Sequence, residues 1–87
     1  MAVTLRGVSG ELRYVYQLAG TVTEWTITQE SGVWSLAGTI DTLDTFRASQ
    51  RPLTFVIPHA RGQWLWPITS LQISGASLSA VLGPRSF

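Results

Sequence analysis

Cysteine is absent from this chain, and so is lysine. Without thiols there is no disulfide scaffold, no zinc finger, no thiol nucleophile and no iron–sulfur ligation. Charge of either sign is scarce: charged residues make up 13% of the chain and the formal net charge is +1. A protein that grips nucleic acid chiefly through phosphates carries a larger basic excess, so nucleic acid is not expected as the main partner. Long apolar runs are also missing. The longest spans a few residues, against about 20 for a bilayer-crossing helix, and the first residues show neither a basic n-region nor a continuous h-region. The expectation is a soluble chain with no membrane partner and no secretion signal.

Catalytic groups are equally thin, with one histidine and five carboxylates spread over three segments. His59 follows Pro58 at the end of an extended run and has no partner nearby in sequence. It reads as a surface or loop histidine rather than a general base. No GxSxG elbow, GxGxxG or GxxxxGK[ST] occurs. Asp41 and Asp44 stand three apart, a spacing that could face a hard cation, but carboxylates at a helix N-terminus are the commoner reason for it. No catalytic, metal or cofactor residue is therefore assigned, no small-molecule substrate is expected, and the chain is read as a non-enzyme.

What is present points to a folded β protein. Eighty-seven residues, 45% of them hydrophobic, suit one domain over 1–87 and exclude intrinsic disorder. Ala2 to Val8 leans extended, and from Glu11 onward Leu12, Tyr14, Tyr16 and Leu18 share one face of a single strand, punctuated by Gly20. Thr21 to Gln29 is rich in β-branched and aromatic residues, with Trp25 and Ile27 as its apolar set. Glu30-Ser31-Gly32 should turn the chain into Val33 to Ile40, where Trp34, Leu36 and Ile40 share a face. Asp41 to Gln50 is the one stretch with helical character. Asp41 or Thr42 would cap it, over at most about 42–49, and Leu43 and Phe46 would plug a barrel end if it is a crossing loop.

Arg51-Pro52 restarts extended structure, and Leu53 to Ile57 is a nearly continuous apolar run that should be the central strand, with Leu53, Phe55 and Ile57 in the core. Gln63 to Ile73 follows, with Pro67 marking an edge, bulge or break. A turn over Ser74 to Ser77 leads to a last strand, Leu78 to Leu82. About six or seven short antiparallel strands with at most one short helix near 42–49 make an all-β domain, a small barrel or a sandwich. A barrel is preferred because closure removes open edges.

All six basic residues are arginine. Coding bias explains that as well as selection does, yet arginine is also the interface cation. Tryptophan is abundant: Trp25, Trp34, Trp64 and Trp66. Trp64 and Trp66, two apart on a strand, face one side. At least one should lie in the core, with the other half exposed.

The small size, the β patterning, the absence of cysteine and the ending PLTFVIP, GQWLWPITSLQI and GASLSAVLGP together resemble the small structural proteins of tailed bacteriophages, which decorate capsids or complete the tail and baseplate. The resemblance implies a virion protein assembled in a bacterial host cytoplasm, with other virion proteins and copies of itself as partners. The expected partner interface comprises Arg47 and Arg51 of the crossing segment, and His59, Arg61, Trp64 and Trp66 around the loop from Pro58 to Gln63. Two other functions stay open. One is a barrel that stacks single-stranded nucleic acid or carbohydrate on exposed tryptophan, and the other is a phage-encoded inhibitor docking on a host protein.

Overall fold

The computed structural model describes residues 3–59 and 62–84. Seven strands and one helical turn follow in order: β1 (Val3–Gly7), β2 (Gly10–Tyr14), β3 (Gln17–Glu30), β4 (Val33–Leu43), α1 (Thr45–Ala48), β5 (Leu53–His59), β6 (Gly62–Ser74) and β7 (Ser77–Leu82). Every ladder is antiparallel, and the order β3-β2-β5-β6-β7-β4 returns to β3, so six strands close a barrel. Of the two all-β architectures compatible with the sequence, this is the barrel. The chain builds it from two meanders, β2-β3-β4 and β5-β6-β7. Through α1 it crosses one end of the barrel between them.

Alternation fills the interior. Leu12, Phe55 and Trp66 lie side by side on adjacent strands, and a second row runs through Leu53, Ile68 and Leu82. Strand β7 alternates strictly, with Leu78, Ala80 and Leu82 inward and Val81 outward. The central strand behaves as its composition requires: Leu53 and Phe55 are fully buried and Ile57 packs against the core. The β3–β4 hairpin turns on Ser31 and Gly32, both at positive φ, which matches the right-handed twist of the paired strands.

Strand β3 departs from simple alternation. Val22 and Trp25 are three apart, yet both are buried. A bulge makes this possible: the register with β4 shifts between Thr23 and Thr26, where Glu24 takes φ 50° and points outward. The bulge divides β3 into two lengths. Residues 17–22 pair with β2, and residues 25–29 pair with β1, so two short strands share one edge in succession.

Several sequence expectations are corrected. Residues 11–18 are not one strand, because the chain reverses at Val15-Tyr16 and Tyr14 pairs with Gln17. Tyr16 and Leu18 consequently lie outside, not on a buried face. Gly20 is no turn but a buried strand position where the backbone of β4 approaches; a Cβ there would sit 2.8 Å from the Thr42 carbonyl oxygen. Strand β4 runs on to Leu43, so the helix is capped by Asp44 rather than Asp41 or Thr42. Leu43 does pack against the core, but Phe46 does not plug the barrel. Pro67 lies within β6 beside a bulge at Ile68/Ser70, and its carbonyl accepts from the Gly83 N–H at 2.7 Å, just past the end of β7.

Two substitutions measure this packing. Phe55→Ala should destabilise by about 3–5 kcal/mol in denaturant titration, since it removes a ring from the centre of the core. Gly10→Ala should cost about 1–3 kcal/mol through overpacking, because its Cβ would meet the buried Phe55 ring at 2.5 Å. Wild-type midpoints for both would contradict the barrel interior described.

Candidate interaction surface

The helical turn is tied to the barrel end by its own polar groups. Asp44 lies extended before α1, its N–H donates to the Ala19 carbonyl at 2.8 Å, and its Oδ1 accepts from the Arg47 N–H at 3.0 Å. A cap of this kind contributes about 0.5–2 kcal/mol. Arg47 Nη1 then donates to the Leu18 carbonyl at 3.2 Å, and Arg51 Nη1 reaches the Ala48 and Gln50 carbonyls at 2.9 and 2.7 Å. Ala48 is the buried residue under the turn. These bonds hold α1 beside the start of β3.

Around this anchor the surface is apolar. Tyr16 is 90% exposed, Phe46 74%, Val15 60% and Leu18 40%. All four stand at one end of the barrel, on the β2–β3 turn and on α1. One shallow cleft beside the turn is lined by Arg13, Val15, Tyr16, Thr54, Val56, Gln63 and Leu65, and another, of mixed polarity, lies between Leu18, Thr42, Leu43 and Asp44.

The turn itself is strained. Val15 has φ 58°, a left-handed conformation that costs an L-residue about 1–2 kcal/mol and that a β-branched side chain adopts as an outlier. Asparagine or glycine is at ease in such a turn. A bulky apolar residue is instead kept where it strains the backbone and meets solvent.

The residues expected from sequence to form the interface divide between the two ends. Arg47 and Arg51 flank the apolar surface, but their guanidinium groups are engaged with carbonyls of their own chain. Strand β5 starts beside Tyr14 and runs away from α1, so the paired backbones of His59 and Gly62 lie toward the opposite end, while Gln63 also lines the cleft beside Val15 and Tyr16. Arg61 lies outside the described residues. His59 pairs with Gly62 through its backbone in β5, and its side chain lies outside the description.

Of the tryptophan pair expected to divide between core and surface, Trp66 is the core member, which removes it from the expected interface. It is fully buried between Phe55, Trp34 and Trp64, with ring centroids 6.5, 6.1 and 6.1 Å away, because its position on β6 faces the barrel interior. Its Nε1 has no hydrogen-bond partner among the described residues. Trp64 is the half-buried member of the pair and meets Trp66 edge to face. Trp25 is also buried, its Nε1 donating to the Ser9 carbonyl at 2.7 Å. A stacking platform built on Trp25 and Trp66 is therefore excluded.

Among the described residues no group of three or more histidines, aspartates or glutamates converges as a metal site would require. The most ordered charged pair is Arg13 with Glu11 on the outer face of β2, where Nε and Nη2 both donate to Oε1 at 3.0 and 2.7 Å. No protein-family model, curated protein or solved structure is significantly similar to the chain.

Relief of the strained turn gives a direct test. Val15→Asn should raise stability by about 1 kcal/mol in denaturant titration, because asparagine tolerates the left-handed region that valine resists. A loss of stability would mean that Val15 is held by packing rather than strained.

Proposed function

We propose that this chain is a non-enzymatic assembly module that docks on other proteins, copies of itself included, through the α1 end of its barrel. The observation that carries the reading is Val15-Tyr16: a valine in a left-handed turn beside a tyrosine that is 90% exposed. Folding and solubility would both favour polar residues here, so the apolar pair answers to something outside the monomer. Phe46 and Leu18 extend the same surface. Burying one such side chain contributes about 1.5–3 kcal/mol, so a few of them suffice for specific contact once repeated around a symmetric assembly.

Combined with the resemblance of the sequence to small tailed-phage proteins, the proposal becomes a structural component of a virion, a capsid decoration or a tail and baseplate protein. Its partners would be other virion proteins and further copies of the chain. The stacking alternative is left with the half-buried Trp64 once Trp25 and Trp66 are buried. An inhibitor of a host protein would use the same apolar end, and differs in needing no self-association.

Sedimentation velocity over a wide concentration range tests the module. The parent should associate reversibly, and Tyr16→Ser combined with Phe46→Ser should weaken that association about tenfold or more while circular dichroism stays unchanged. A parent that remains monomeric, or a variant that associates equally, rejects docking through this end. Absence of the chain from purified particles by mass spectrometry rejects the placement in a virion.

A further inference from the structure

Strand β1 is hydrogen-bonded on one side only. Among the described residues its single ladder is to β3, from Val3 opposite Gln29 to Gly7 opposite Trp25, with no bulge. Its other edge presents a row of unpaired backbone donors and acceptors. Exposed edges in folded proteins are usually blunted by proline, lysine or a bulge. This strand, Val-Thr-Leu-Arg-Gly, has neither proline nor a bulge, and its one charge is Arg6.

The residues also suit one occupant. Leu5 packs against the core from the β3 side, opposite Ile27, and is half-buried, with no strand paired beyond it among the described residues. An antiparallel copy of β1, paired so that Leu5 faces Leu5 across a twofold axis, covers that open flank and sets Val3 opposite Gly7 and Thr4 opposite Arg6. No like charges then stand directly opposite. The sequence of the strand is self-complementary in this register.

We propose that β1 is a homotypic docking edge, through which two copies join by antiparallel strand pairing centred on Leu5, so that β4-β3-β1 of each becomes one continuous six-stranded sheet. The inference rests on the assembly reading above and assigns a second, separate contact to it. Here specificity comes from backbone pairing, not from the apolar end.

The register supplies its own test, since Thr4 is exposed and faces only Thr28 within the monomer. Thr4→Glu places a carboxylate opposite Arg6 of the second copy at two symmetric positions, and Thr4→Arg places like charges there. Association measured by sedimentation equilibrium should tighten about twofold to tenfold in Thr4→Glu and weaken by a similar factor in Thr4→Arg. Hydrogen exchange should show that the outward amides of residues 3–7, every second one, become protected as concentration rises, by about tenfold or more. Equal association of both variants, or β1 amides unprotected in an associated sample, overturns the strand pairing. If the Tyr16/Phe46 variant still loses association in that case, the assembly reading stands without it; if neither pair of variants changes anything, both fall.

Discussion

The barrel closes around three aromatic rings, and their size governs the rest of the molecule. Trp25 and Phe55 meet edge to face at 5.7 Å, and Phe55 and Trp66 follow at 6.5 Å. Barrel diameter scales with strand number, and about eight strands leave an interior that side chains just fill, so six leave less. Three large rings fit only where the wall yields. It yields at Gly10, whose missing Cβ admits Phe55, and at Glu24, where the bulge turns Trp25 inward beside Val22. The same bulge redirects β3, so that its second half carries β1.

A domain of this length has a modest margin, about 4–13 kcal/mol, within which every local cost counts. Among such costs in the described structure are a left-handed valine and a buried indole N–H with no hydrogen-bond partner among the described residues. They differ in kind. Trp66 sits in the packed centre, where the ring's contacts with Phe55, Trp34 and Trp64 offset a donor left without an acceptor. Val15 sits on the surface, where nothing inside the monomer offsets the strain. That contrast is why the proposed docking surface is centred on the turn and not on the tryptophan cluster.

How far the sequence could be read depended on whether a residue's signal was local. Period-two alternation in β4 and β7 identified their inward faces, and the continuous apolar run Leu53 to Ile57 marked the strand at the centre of the wall, where Val56 is buried beside Leu53 and Phe55. The turn at Ser31-Gly32 carried its usual glycine. The turn at Val15-Tyr16 carried none, so Leu12, Tyr14, Tyr16 and Leu18 read as one unbroken face and the most exposed aromatic of the described residues was taken for core. Gly20 misled in the opposite sense, because a glycine demanded by a neighbouring backbone looks the same in sequence as one demanded by a turn. The bulge at Glu24 could have been suspected: Val22, Trp25 and Ile27 cannot share one face of a regular strand. Phe46 was three residues from Leu43, and only the extension of β4 to Leu43 and the shift of the cap to Asp44 put it outside.

The arginines complete the account of what kind of surface this is. Lysine offers a point charge on a flexible stem, whereas a guanidinium presents several donors in a plane. Arg51 uses one nitrogen to hold two carbonyls at the exit of α1, Arg47 holds the Leu18 carbonyl at its entry, and Arg13 gives two donors to one oxygen of Glu11. In each case the described contacts lie within the chain. Exposed ion pairs contribute little to stability, but the Arg51 donor on the Ala48 carbonyl satisfies a terminal group that a four-residue helix cannot satisfy itself. The arginines near α1 therefore fix the platform on which Phe46 and Leu18 are displayed, and the displayed surface is apolar. Contact through it, as proposed, would depend on desolvation rather than on charge, in keeping with a net charge of +1. Such a surface would gain little from long-range steering, so the selectivity of the proposed contacts would come from shape at the turn and from the directional backbone groups of β1.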